Sequence, residues 1–147
     1  MITEENIQKY DPDGIHNAYD KWAKLAYDAY NSELDVVDFK NIDHIVFAGM
    51  GGSGTIGDIF SSILSKKNIH TTVAKGYLLP ETVDDNTLVV TTSVSGNTAE
   101  TISILQSANE KNCQTIAFSS GGKMESYCLK NNIEFRNIPQ TQSPSAS

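Results

Sequence analysis

From Ile45 onward the 147-residue chain alternates short apolar runs with stretches of helical spacing. That alternation constrains the fold more than any other feature. Candidate strands fall at about 45–48, 69–74, 88–92, 114–118 and 133–137, with candidate helices near 54–67, 97–111 and 123–131. Strand alternating with helix means parallel βαβ units. The runs Ile45-Val46-Phe47-Ala48, Leu88-Val89-Val90 and Thr115-Ile116-Ala117-Phe118 are continuously apolar, as in strands covered by helices on both faces. The prediction is an α/β fold, a doubly wound five-stranded parallel sheet in a flavodoxin-like three-layer α/β/α sandwich. Open sheets of this kind bind ligands beyond the carboxyl ends of their strands. Function is therefore sought in loops 49–54, 75–80, 93–98 and 119–123.

Ahead of the sheet, Ile15, Tyr19, Trp22, Ala26 and Ala29 recur at steps of four and three, the inner stripe of one packed helix. Asp11-Pro12-Asp13-Gly14 suits its start. Residues 1–40 read as a helical segment packed on the domain, 41–139 as the domain, and 140–147 as a small, polar tail or linker toward an absent second domain. Eleven Lys and Arg against 18 Asp and Glu leave a formal charge of −7. With no Lys/Arg cluster, the chain lacks the concentrated positive charge on which general nucleic-acid binding depends. Any anion it binds must be held locally. The apolar runs are far too short to span a bilayer, and Met1-Ile2-Thr3-Glu4-Glu5 lacks a basic flank and apolar segment, so a soluble cytoplasmic protein without membrane partners is expected. Cys113 and Cys128 have no metal or redox spacing and read as reduced, partly buried thiols.

After the first strand, Gly49-Met50-Gly51-Gly52-Ser53-Gly54 carries four glycines, which turn tightly and let backbone N–H groups approach a ligand. It matches the dinucleotide fingerprint G-x-G-x-x-G. That fingerprint also wants an acidic residue near the end of the second strand, where this chain has Lys75-Gly76. Lys75 could instead meet the 2′-phosphate of NADP, or the loop could be a strand-to-helix turn that binds nothing.

After the third strand, Ser93-Val94-Ser95-Gly96-Asn97-Thr98 crowds hydroxyls at one strand end. Ser93, Ser95 and Thr98, with the N–H groups of the following helix start, can each donate to a phosphate oxygen. Hydrogen bonds to a charged partner contribute about 1.5–3 kcal/mol each, and a helix terminus adds about 0.3–1 kcal/mol. Three such donors hold a phosphate without Lys or Arg. The rival reading is turn and capping chemistry: Asn97-x-x-Glu100 has capping-box spacing, which makes Glu100 a helix cap before it is a general base. A dinucleotide fold needs only the first loop, so the pair of loops favours a monophosphate sugar, its phosphate against 93–98 and its sugar near 51–53.

The Ser93-x-Ser95-Gly96-x-Thr98 pattern resembles the hallmark loop of sugar isomerase (SIS) domains. The glycine loop with Gly57-Asp58, and Tyr77-x-Leu79-Pro80, make the chain from about residue 15 onward similar to the N-terminal SIS domain of bifunctional phosphoglucose/phosphomannose isomerases. The resemblance implies that Gly52, Ser53, Ser93, Ser95 and Thr98 contact a hexose 6-phosphate, the second loop gripping its phosphate. It implies glucose-6-phosphate/mannose-6-phosphate isomerisation with fructose 6-phosphate, no cofactor or metal, and a homodimer. The alternative is a stand-alone SIS module that senses a phosphosugar and regulates a partner without catalysis.

Two departures accompany the resemblance. Isomerases of the family have two SIS domains where residues 1–147 hold one, and Pro144-Ser145-Ala146-Ser147 stands where the family keeps an Arg after a Pro. Aldose–ketose isomerisation needs a base to move a proton between C1 and C2 and an acid to open the ring. His16, His44 and His70 are the three histidines, and none falls in a ligand loop. The base and the acid are expected beyond Ser147, which leaves this chain alone incomplete as an enzyme.

Overall fold

The computed structural model describes residues 2–139, which form two compact units meeting in sequence between Val37 and Asp38. The first holds α1 (Glu4–Tyr10), α2 (His16–Asp20) and α3 (Trp22–Tyr30). Thr3 caps α1 by accepting from Asn6 N at 3.2 Å. The sequence reading leaves α1 unrecognised, because seven residues with Ile7 as their apolar member show no period. Asp11 starts α2 as expected, its carboxylate accepting from Ile15 N at 2.9 Å and His16 N at 2.8 Å. The single helix expected over 15–29 is instead two, with Lys21 ending α2 and beginning α3. No residue of the three helices is buried; of the stripe from Ile15 to Ala29, Tyr19 and Trp22 are about half exposed, their ring centroids 4.7 Å apart.

The second unit is the sheet domain. Its elements follow as β1 (His44–Gly49), α4 (Gly51–Leu64), β2 (His70–Ala74), β3 (Thr87–Thr92), α5 (Ala99–Glu110), β4 (Gln114–Ser119), α6 (Gly122–Asn131) and β5 (Glu134–Asn137). All strand pairs are parallel in the order β2-β1-β3-β4-β5. This is the flavodoxin-like order that the sequence predicts. Helix α4 begins three residues earlier than its apolar spacing suggests, since the glycine loop is itself the first helical turn.

Period-two alternation sorts the strands into two faces. Val46, Ala48, Val89 and Ala117 lie buried under Ile104, Leu105 and Ala108 of α5 and Met124 and Cys128 of α6. The link from β2 to β3 has no helix, and its Leu79 and Val83 fill the same core. On the opposite face α4 lies tight on β1 and β2: a Cβ on Gly57 would stand 2.8 Å from Phe47 Cβ and 3.3 Å from Val73 Cγ1. Beside α4, however, Phe47, Val90, Phe118 and Ile138 line a cleft of about 280 Å³ with Ile56 and Phe60. Cover is thus complete on one face and partial on the other. Cys113 and Cys128 are free and buried, Cys128 completely; burial pushes both thiols up, Cys128 to about 11, which leaves them protonated. Among the described residues no helix is long and apolar enough to cross a membrane.

At the amino-terminal edge of the sheet, His44 and His70 are register partners with ring centroids 4.5 Å apart. Both reach Thr72 Oγ1, at 3.0 Å and 3.4 Å. Burial first, then the neighbouring His70, holds His44 below the ordinary imidazole pKa, against weaker upward pulls from Asp43 and Asp84. At this site the unfolded chain therefore binds more proton than the folded one below pH about 6.5, and the contribution of His44 lowers stability as pH drops from there. Urea unfolding at about pH 7.5 and about pH 5.5 is expected to show that fall, and His44→Gln to flatten it.

Candidate functional site

Strands β1 and β3 lie side by side with Gly49 opposite Thr92, so the loops that follow them leave the sheet at one level, about 4.8 Å apart. From β1 the chain turns outward through α4 to β2; from β3 it turns the other way through α5 to β4. That reversal is the switch point at which open α/β sheets form a ligand crevice. Gly51–Gly54 and Ser93–Thr98 flank it.

The first loop is short because only Met50 separates β1 from α4, and Gly51 takes φ +53° to make the turn. No side chain caps α4 at Met50. Its first-turn N–H groups, Gly52 and Ser53 among them, are thus left without the helical partners that later residues have. Gly52 is exposed and Ser53 half-buried. In the second loop Ser93 is 2% exposed and its hydroxyl lies 2.8 Å from Thr98 Oγ1. Ser95 is exposed, and its hydroxyl oxygen accepts from Asn97 N at 3.3 Å. The register of β1 on β3 puts the two loops at adjacent strand ends, and within the second loop one count changes. Because one of the Ser93 and Thr98 hydroxyls donates to the other, the three hydroxyl protons counted from the sequence become two that are not spent between these side chains.

The capping box is a second correction. Thr98, not Asn97, is the cap residue of α5, and it makes no side-chain capping bond. Asn97 is diverted: its Nδ2 donates to Ser95 O at 2.9 Å and its Oδ1 accepts from Lys123 N at 3.2 Å. Glu100 therefore falls one position short of where a box would use it. Helix α6, whose cap residue is Gly121, has no capping side chain of its own and takes the Asn97 oxygen at Lys123 N instead.

What the sequence reading missed is the support supplied by the loop after β4. It names 119–123 as a place for function and selects no residue there. Ser120 donates to Val94 O twice, from N at 2.9 Å and from Oγ at 2.6 Å, and Met124 N donates to Gly96 O at 3.0 Å. Ser119 Oγ donates to Gly121 O at 3.0 Å. The density of Ser and Gly in Ser119-Ser120-Gly121-Gly122, matching the other two loops, was the signal available. Lys75, the NADP candidate, is occupied by Asp58 of α4 at 2.6 Å. His44 and His70 stand at the opposite strand ends, and His16 pairs with Asp11 at 2.7 Å in the N-terminal unit. Pro144–Ser147 lies outside the described residues. Among the described residues no group of three His, Cys, Asp or Glu side chains is placed to hold a metal.

The interlock makes a sharp contrast between two glycines of positive φ. A Cβ on Gly96 (φ +65°) would stand 1.8 Å from Gly121 O, whereas one on Gly51 (φ +53°) would meet nothing within 4 Å. Gly96→Ala is expected to lower unfolding free energy by about 4 kcal/mol or more, because backbone must move. Gly51→Ala should cost only the left-handed conformation, about 1–2 kcal/mol. Equilibrium urea unfolding of the two variants checks this.

Comparison with known proteins agrees with the geometry. Residues 38–138 match the SIS domain family model. A bifunctional phosphoglucose/phosphomannose isomerase from Caldicellulosiruptor bescii is 34% identical over 137 residues, covering 92% of this chain and 38% of that protein. A D-glucosamine-6-phosphate 4-epimerase from Sulfolobus acidocaldarius is 30% identical over 127 residues, 86% of this chain and 40% of that protein. The chain thus spans about two fifths of the length of the curated relatives it matches. The crystal structure of tagatose-6-phosphate ketose/aldose isomerase from Escherichia coli shares the fold at TM-score 0.56 and 17% identity, covering 86% of this chain and 36% of that one. With a parallel sheet, paired Ser/Gly loops at its switch point and a family match over the whole sheet domain, the chain belongs to the SIS domain family.

Proposed function

We propose that the sheet domain binds a hexose 6-phosphate and serves the interconversion of glucose 6-phosphate or mannose 6-phosphate with fructose 6-phosphate. The register of Gly49 against Thr92 carries this reading, since it sets two Ser/Gly loops side by side where an open sheet takes its ligand. The phosphate is assigned to Ser93, Ser95 and Thr98 with the start of α5, and the sugar to Gly52 and Ser53. The bifunctional isomerase among the relatives supports the reaction class. The donors are neutral hydroxyls and amides, which suits a chain of net charge −7 that has no cation cluster to offer. Each hydroxyl donated to a phosphate oxygen is worth about 1.5–3 kcal/mol.

Two outcomes follow. Calorimetry is expected to find fructose 6-phosphate bound and free fructose not, because the donors converge on the phosphate; Ser95→Ala should weaken the phosphosugar by about 1–3 kcal/mol with little change in melting temperature. Equal affinity for fructose and its phosphate overturns the reading.

Residues 1–147 alone are expected to bind without turning over. The ligand loops bear hydroxyls and amides and both histidines of the sheet domain lie at the far strand ends, which agrees with a base and a ring-opening acid supplied from beyond Ser147. A coupled isomerase assay of the purified chain should stay well below about 1 s⁻¹, the low end of ordinary enzymes.

A further inference from the structure

Lys75 follows β2 directly, and the fold gives it a path that the site residues do not share. Its ammonium stands 2.6 Å from the Asp58 carboxylate, on the second turn of α4. On the way its Cε passes 3.0 Å from where a Cβ on Gly54 would stand. The lysine stem therefore runs from the end of β2 along the first turn of α4, against the buried Gly54, with Asp58 as its anchor. Lys75 and Asp58 side chains are 46% and 50% exposed, and ion pairs that wet add little to global stability. The local effect is different. The turn from Gly51 to Gly54 presents Gly52 and Ser53, has three glycines of broad backbone freedom, and has no side-chain cap of its own at Met50. Close packing of Gly54 on Gly49 O fixes the turn against β1, while Lys75 ties it to the end of β2.

We propose that Lys75 is a positioning residue: through Asp58 it clamps the first turn of α4 to the end of β2 and so sets affinity for the sugar end of the ligand. The proposal rests on the hexose 6-phosphate reading above. It separates the two loops energetically, because the clamp reaches Gly52 and Ser53 whereas the phosphate loop is braced independently by Ser120 and Asn97.

The test uses the whole 147-residue chain, with fructose 6-phosphate and inorganic phosphate as calorimetric probes. Lys75→Met is expected to weaken fructose 6-phosphate about tenfold, within the 10²-fold that a misplacement of about 1 Å can cost. Inorganic phosphate affinity and melting temperature should stay near wild type. Lys75→Arg should restore sugar-phosphate binding, since the longer cation still reaches Asp58, and Asp58→Asn should resemble Lys75→Met. Without ligand, the amide resonances of Gly52 and Ser53 should shift in Lys75→Met while those of Ser93–Thr98 hold. Unchanged affinity and resonances in Lys75→Met overturn the clamp and leave the site reading intact. Equal loss of both probes also overturns it, because the lysine would then act on the whole site through charge or folding. A wild-type chain that binds inorganic phosphate and not fructose 6-phosphate overturns the hexose reading, and the clamp with it.

Discussion

The parallel pairing of β1 with β3, Gly49 opposite Thr92, is the constraint on which the rest depends. Both strands are centre strands with one face fully buried, so a slip of one residue would turn Val46, Ala48 and Val89 out of the core and bring Phe47 and Val90 into it. The smallness of that inner set leaves no room for the exchange. Apolar packing over the length of the strands thereby sets the height at which two loops leave the sheet. Position at the site is a by-product of burial some distance below it.

A chain of net charge −7 repels phosphate at long range, and its proposed answer is short-ranged. Helices α4, α5 and α6 all begin at the carboxyl edge of the sheet and none is capped by the side chain of its own cap residue, although Asn97 reaches Lys123 N of α6, whereas α1 in the other unit is capped by Thr3. Orphan amides and the positive ends of helix dipoles are thus kept at the edge where the loops gather. Hydroxyls that would ordinarily cap are used to brace the loops: Ser120 across to Val94 O, and Ser93 with Thr98 inside the second loop. The edge is rigid through these cross-loop bonds and polar without being cationic.

Glycine makes that rigidity compatible with close approach. Gly96 and Gly122 interdigitate at distances a side chain would forbid, the latter with its missing Cβ 2.6 Å from Ser95 O. Gly54 and Gly57 do the same between α4 and β1. The same residues would cost stability in an ordinary helix or turn, so their use here is compensated by contacts made with residues distant in sequence.

The order of strands and loops was legible in the sequence because apolar runs of strand length and glycine-rich punctuation are local signals, and each loop residue proposed for the ligand comes from one contiguous stretch. Local signals also misled where tertiary partners outbid them. Asn97 has capping-box spacing, yet its side chain is claimed by Ser95 O and by Lys123 N, 26 residues on. The stripe from Ile15 to Ala29 has the period of one helix, yet the helix breaks at Lys21. By itself the sequence determined which segments are strands, which turns carry hydroxyls and glycines, and that the chain would wind a parallel sheet. Only the tertiary structure decided that Gly49 stands level with Thr92, that Ser93 and Thr98 spend one hydroxyl on each other, that Ser120 braces the second loop and that Lys75 turns to Asp58. The strand level, the Ser120 brace and the Lys75–Asp58 pair each join segments brought together only when the sheet has assembled, and no spacing along the chain encodes the distances so created.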